Sequence, residues 1–200
     1  MKLKIDTALL STSDKSNLEK FAIELRDMNV EMIATDGTAS YLSKRGIETT
    51  SVEDITGFPE ILRGRVKTLH PKIHGGILAK HSEADMKELK HLGIRKIDLV
   101  VVELYSFRDA VESSESHEKI VEKIDIGGLA LARAGAKNYE NTCTIVNQTN
   151  YDRILEEMKK NDGKISQKTR LKMAVEAFKR AEEYNKAIKE YLYRFSKKGY

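Results

Sequence analysis

A chain of 200 residues, 40% hydrophobic and 33% charged, buries a substantial core as one domain or one domain with a helical extension; it lacks the composition of disorder. Its 35 basic and 31 acidic side chains leave a net charge of +4, and the cations sit mostly among acids, which argues against a nucleic-acid binder. The single cysteine, Cys143, excludes an internal disulfide; with a start (MKLKIDTALL) lacking a long apolar segment, it points to a reducing, cytoplasmic setting, and no run approaches a membrane span.

Residues 6–11 (DTALLS) read as a short buried strand. Ser13 or Asp14 can cap a helix running to Met28, with Leu18, Phe21, Ala22 and Leu25 on one face. Residues 30–35 (VEMIAT) form a second strand, Asp36-Gly37-Thr38 turns into a short helix ending near Gly46, and residues 47–52 form a third strand. Strand, helix, strand, helix, strand is the signature of right-handed crossovers and a parallel sheet. Ligands bind such sheets where strands run into helices. Two loops there, residues 11–15 (STSDK) and 35–38 (TDGT), carry hydroxyls and backbone N–H groups that could hold a phosphate; the same residues are also good helix caps. Neither has the GxxxxGK[ST] pattern of a P-loop.

Residues 58–76 (FPEILRGRVKTLHPKIHGG) contain both prolines, Pro59 and Pro71, and the four cations Arg63, Arg65, Lys67 and Lys72. No periodicity runs through them, and Gly64, Pro71, Gly75 and Gly76 interrupt any regular element, so the stretch reads as a long basic loop, either solvated or built to hold an anion. Residues 81–92 are an amphipathic helix, and residues 97–104 (IDLVVVEL) the most hydrophobic strand, buried on both faces. Tyr105, just beyond it, reads equally as a hydrogen-bond donor or a buried structural tyrosine. After a polar stretch of one or two short helices (111–123) comes IDIGGLALARAGAKN (124–138), where Gly127-Gly128 opens an Ala/Leu-rich helix. Asp125 stands ahead of it and Lys137 near its end; on one straight helix they are about 18 Å apart, so acting on one ligand would need a bend or a late start. A last strand (142–146), a helix (151–160) and one long amphipathic helix or a bent pair (166–195) follow; the apolar stripe Leu171, Ala174, Val175, Phe178, Ala181, Tyr184, Ile188, Tyr191, Leu192 and Phe195 reads as core or dimer surface.

Gly64-Arg65-Val66-Lys67-Thr68-Leu69-His70-Pro71, with His74 and Gly76 behind it, resembles the signature of the IMP cyclohydrolase family. So do LLSTSDKSNL, the TDGT turn, DITGFPEIL, ELYSF, DIGG, RAGAKN and AVEAFKRAEEYNKAI, so the resemblance covers essentially all of residues 1–200. It implies an α/β fold similar to methylglyoxal synthase: a doubly wound parallel sheet of about five strands with helical C-terminal additions. The chain would then be a single cyclohydrolase domain, with a core over about residues 1–147 and a helical extension over about 148–200. The implied reaction closes 5-formamidoimidazole-4-carboxamide ribonucleotide to IMP and water, the last step of purine biosynthesis, with no metal or organic cofactor. By match, Ser11, Lys15, Thr35, Gly37, Thr38, Arg65 and Thr68 hold phosphate and ribose. Lys67, Tyr105, Asp125 and Lys137 carry the chemistry, with the Ile126-Gly127 backbone beside the base. A carboxamide nitrogen is a poor nucleophile and the formyl oxygen leaves as water, so a base near the amide and a donor near the oxygen are required. The resemblance also implies a homodimer and leaves room for a separate formyltransferase partner.

The chain departs from the family's pattern at two places. Asp36 stands where the second turn usually has glycine, and a carboxylate there opposes a phosphate unless it points away. Glu103 stands for an asparagine and Ser106 for a proline in the strand-end motif, and Glu103 in its charged form accepts but does not donate. A non-catalytic nucleotide-binding regulatory module of the same fold is the alternative; it needs the phosphate turns but not the four chemical residues. Methylglyoxal synthase itself would not require the KTLHP loop or the terminal helices.

Overall fold

The computed structural model describes residues 2–104, 107–113 and 116–197. In chain order, β1 (Lys2–Lys4) and β2 (Thr7–Ser11) lead to α1 (Leu18–Asp27), β3 (Glu31–Ala34), α2 (Asp36–Ser43), β4 (Thr50–Ser51) and α3 (Val52–Thr56). Next come α4 (Pro71–Leu78), α5 (Glu83–His91), β5 (Leu99–Val102), α6 (Phe107–Glu112), α7 (His117–Glu122) and α8 (Gly127–Lys137). β6 (Cys143–Ile145), α9 (Tyr151–Lys160), β7 (Lys164–Ser166) and α10 (Gln167–Ser196) follow. Five strands form a parallel sheet in the order β4-β3-β2-β5-β6, the expected α/β architecture.

Both faces of the sheet are buried, which is why its strands read as unbroken apolar runs. Ala8 and Leu10 of β2, with Leu99 and Val101 of β5, face a core completed by Phe21, Leu25, Ile154 and Met158. The alternate residues Leu9, Val100 and Val102 face a second core with Ile73, Ile77, Leu131 and Ala177. Helices therefore cover both sides of the sheet.

Three local expectations are corrected. The third strand keeps only Thr50–Ser51, because Ser51 already belongs to a capping box: its Oγ accepts from the Asp54 N–H at 3.0 Å and its own N–H donates to the Asp54 carboxylate at 3.3 Å. Neither Ser13 nor Asp14 caps α1; Asn17 holds the N-cap position in a left-handed conformation without a side-chain cap bond, while Asp14 accepts from the Ser16 N–H and hydroxyl. The basic stretch is not irregular throughout, since residues 71–78 form α4. Pro71 occupies its first position, where no N–H is needed, and His70 Nδ1 accepts from the Lys72 N–H at 3.1 Å. Gly76 is set by a close approach: a Cβ there would lie 2.3 Å from the Arg95 carbonyl oxygen. The terminal stretch forms one long helix, one of the two forms expected, and its apolar stripe divides. α10 is one continuous helix of 30 residues that buries Ala174, Ala177, Ala181 and Tyr184, whereas Leu171, Val175 and Phe178 face outward. Small alanines let α10 approach α8 closely.

Two features lie outside the sequence reading. β1 and β7 pair antiparallel, with Leu3 opposite Ile165, both buried. Within the basic loop, Ile61 and Val66 form an antiparallel bridge whose tip, Leu62, Arg63 and Gly64, is in the left-handed region at φ 53°, 59° and 85°.

Candidate active site

At the carboxyl edge of the sheet the two hydroxyl-rich turns lock together. The Thr12 N–H donates to Thr38 Oγ1 at 3.3 Å, and Lys15 Nζ donates to the same oxygen at 3.1 Å and to the Thr12 carbonyl. Thr35 Oγ1 lies 3.4 Å from Thr38 Oγ1 and 3.5 Å from Ser11 Oγ. Ser11, Lys15, Thr35 and Thr38 thus form one polar cluster around the start of α2, and burial pushes the Lys15 ammonium below its ordinary pKa. Thr35 makes no side-chain cap bond to α2; its carbonyl accepts from the Thr38 and Ala39 N–H groups at 2.8 Å. A Cβ at Gly37 would meet nothing within 4 Å, and Gly37 has no positive φ, so the fold itself does not call for glycine.

The basic loop joins this cluster through Lys67. Its Nζ pairs with the Asp36 carboxylate at 2.6 Å and with the Glu60 carboxylate at 2.5 Å. Burial alone would lower the Lys67 pKa; the two carboxylates outweigh it and hold the ammonium above the ordinary lysine value. Asp36 therefore does not cap α2: its carboxylate turns to Lys67, whose hydrogen bond holds it below the usual range. Arg65 Nε pairs with Glu122 on α7 at 2.8 Å, with both side chains half exposed. Thr68 is buried and sits against the start of α8, where a Cβ on Gly127 would lie 2.9 Å from Thr68 Oγ1.

Asp125 sits at that same helix start. Its Oδ1 accepts from the Gly128 N–H at 2.7 Å, and its backbone N–H donates to the Tyr184 hydroxyl of α10, also at 2.7 Å. Gly128 must be glycine for this, because a Cβ would lie 2.3 Å from Asp125 Oδ2. Burial raises the Asp125 pKa, only partly countered by the Gly128 N–H. Ile126 beside it is 59% exposed. The first turn, second turn, loop and α8 start therefore form one contiguous surface.

Tyr105 lies outside the described residues. Lys137 is the last residue of α8, which starts at Gly127 and continues unbroken, so the late start or bend that would bring it to Asp125 does not occur. The next residue, Asn138, donates to the Ile77 and Ala79 carbonyls, and Thr142 just ahead of β6 donates to Ile77, which places the Lys137 end of α8 at the opposite, amino edge of the sheet. Glu103 stands beside the first turn, where Lys15 and Asp14 act on its charge: its Oε1 accepts from the Gln148 N–H at 2.9 Å, and its Oε2 is buried with no hydrogen-bond partner. Burial raises its pKa, and it borders a cavity of about 630 Å³ together with Asp14, Asn147 and Arg180.

Sequence reasoning missed Glu60 and Tyr184. Glu60 was legible as the cross-strand neighbour of Lys67, once Ile61 and Val66 are read as a hairpin closing on a glycine-containing tip. Tyr184 was hidden in an apolar stripe. Among the described residues, no three His, Cys, Asp or Glu side chains gather as a metal site, and no helix is long and apolar enough to cross a membrane.

Comparison with known proteins places these elements in context. Residues 17–130 match the MGS-like domain family, and residues 135–200 match the family described as AICARFT/IMPCHase bienzyme. The bifunctional purine biosynthesis protein PurH of Chlorobium phaeobacteroides is 45% identical over 190 residues, and that of Trichodesmium erythraeum 49% over 188 residues. These alignments cover 94% and 92% of this chain but only 36% of either relative, so the chain spans about a third of the length of these curated relatives. A crystal structure of ForH superposes with a TM-score of 0.81 at 33% identity, covering 93% of this chain and 98% of that one.

Proposed function

The chain belongs to the MGS-like domain family, and on that premise we propose that it is an IMP cyclohydrolase, closing 5-formamidoimidazole-4-carboxamide ribonucleotide to IMP with loss of water. The observation that carries this reading is the contiguity of the two hydroxyl turns, the Lys67 loop and the Asp125 helix start at one edge of the sheet. Similarity to the PurH proteins supplies the reaction class.

In this scheme Ser11, Lys15, Thr35, Gly37 and Thr38 take the 5′-phosphate, with the α2 N-terminus supplying further N–H groups. Arg65 would leave Glu122 to reach the nucleotide, and Thr68 seats the loop. The carboxamide nitrogen attacks the formyl carbon and forms the new C–N bond. Asp125, whose raised pKa brings it nearer neutrality, takes the proton the nitrogen loses; such help is worth roughly 10²–10⁴-fold. Lys67 donates to the oxygen as it gains charge, a contact worth about 3–4 kcal/mol in comparable sites. The oxygen takes up the proton that Asp125 removed, and the resulting hydroxyl leaves as water with the proton of the formamido nitrogen. Tyr105 is proposed as a second donor, and the backbone at Ile126 and Gly127 as the wall beside the base.

Lys137, about 18 Å from Asp125 along α8, would serve this chemistry at the site of a second copy. We therefore propose a homodimer whose partners share it, with the outward Leu171, Val175 and Phe178 of α10 as the apolar surface available for association. Mixing Asp125→Ala with Lys137→Ala chains tests the sharing: each alone should be inactive and the mixture should regain activity. Full activity of Lys137→Ala alone would refute it. The same reading puts the chain in the cytoplasm, alongside a formyltransferase that supplies its substrate.

The test of function is direct. Purified chain is mixed with the synthetic formylated ribonucleotide, with a chelator present, and IMP is followed by ultraviolet absorbance and chromatography. Turnover that Lys67→Ala abolishes supports the proposal. Tight IMP binding without turnover would leave the nucleotide-binding regulatory module instead.

A further inference from the structure

We propose that Asp36 and Glu60 form a two-carboxylate clamp that holds Lys67 as an ammonium ion beside the second turn, and that Asp36 is a positioning residue for Lys67. The proposal rests on the cyclohydrolase reading for its catalytic consequence, but not for the clamp itself.

The geometry is specific. Glu60 and Lys67 flank the Ile61–Val66 bridge on opposite strands of the hairpin, so Glu60 approaches Lys67 from within its own loop. Asp36 comes from a different element, the first turn of α2, and closes the other side at 2.6 Å. The Lys67 side chain is only 22% exposed, while the Asp36 and Glu60 carboxylates are half exposed, so solvent screens the pairs from their acid side alone. The neighbouring charges are engaged otherwise: Lys15 with Thr12 and Thr38, Asp125 with the Gly128 N–H, and Arg65 with Glu122. Lys67 thus meets one carboxylate from the hairpin and one from α2.

Two consequences follow. An ammonium held by two carboxylates donates hydrogen bonds and gives up its proton reluctantly, so Lys67 acts on the leaving oxygen as a donor and leaves proton abstraction to Asp125. The clamp also ties the loop to the turn that receives the phosphate. Asp36, where the resembling turn has glycine, thereby gains a purpose that offsets its repulsion of an anion.

The experiment measures Lys67 directly, by competitive acylation of lysine amines across alkaline pH with mass-spectrometric readout. In the wild type, Lys67 should label with a midpoint above that of an ordinary lysine. In Asp36→Asn and in Glu60→Gln it should label about tenfold faster at a fixed pH below the midpoint, as loss of a contacting carboxylate requires; Asp36→Glu should restore most of the protection. Unchanged labelling in both charge-removing variants overturns the clamp. The alkaline limb of kcat/KM should move with the labelling midpoint, and a limb that stays while the midpoint moves overturns the positioning role. A wild type that makes no IMP refutes the cyclohydrolase reading and the catalytic consequence, while the labelling result alone decides the clamp.

Discussion

Replacing Tyr184 by phenylalanine removes one hydroxyl and leaves the ring, including its edge contact with Phe107 at 6.3 Å between centroids. That hydroxyl accepts the Asp125 backbone N–H at 2.7 Å, and Tyr184 is 4% exposed, so no water readily replaces it. An unpaired buried donor costs about 1–3 kcal/mol. In a chain of this length that corresponds to a Tm lower by roughly 2–12 °C. The functional effect should be sharper. The peptide carrying Asp125 would relax, and a displacement near 1 Å at a reacting group can cost about 10²-fold. We expect kcat for IMP formation to fall by at least about tenfold. KM should change by less than about twofold, because no phosphate-turn residue touches Tyr184. Steady-state kinetics beside a thermal melt reads both. A lowered Tm with unchanged kcat would refute the claim that α10 positions Asp125; an unchanged Tm would refute the hydrogen bond's contribution.

Gly76→Ala should destabilise the fold by about 1–3 kcal/mol, read as a lower urea midpoint, because the new Cβ meets the Arg95 carbonyl while the Gly76 carbonyl is held by the Ile97 N–H at 3.0 Å. Lys96 is buried with its Nζ on the Ile97 and Asn141 carbonyls, and burial pushes its pKa down to about 8. Below that pH the folded and unfolded chains both carry the proton. Between it and the ordinary lysine value only the unfolded chain does, so stability should rise with pH through this window by up to about 3 kcal/mol. Urea melts at several pH values would test it, and Lys96→Met should flatten the rise; an equal rise in that variant would discard the assignment. Asp125 should give kcat/KM an acid limb above the ordinary aspartate range, since its carboxylate is lost sooner as pH falls, and Asp125→Asn should abolish turnover. An acid limb at the ordinary aspartate value would contradict the burial argument.

The sheet was legible because its signal is local. Ala8, Leu9 and Leu10 fill both faces of one strand, and only a two-sided parallel sheet makes use of such a run. The helix start at Gly127-Gly128, with Asp125 ahead of it, was legible for the same reason, since these residues lie within three positions of each other. What failed depended on partners distant in sequence. Pro71 reads as a breaker until the helix behind it is known, whereupon it becomes a first-turn residue. Asp36 looked like a cap or a liability because Lys67 is 31 residues away in the chain, a pairing no periodicity encodes. Val175 and Phe178 fit the helical stripe as well as Ala177 and Tyr184 do, yet the alanine face wins α8 because small side chains permit the closer approach.

The pairing of β1 with β7 bears on how the chain comes to fold. Residues 2–4 are synthesised well before their partners, residues 164–166, which follow only after roughly ten to thirty seconds. α10 begins immediately after β7, and Tyr184 lies beyond its midpoint. A nascent chain can therefore assemble its parallel sheet and still leave the N-terminal edge unpaired and the Asp125 peptide unsupported. Competence would arrive in one late step, when closure of the β1–β7 clip and docking of α10 complete the site together.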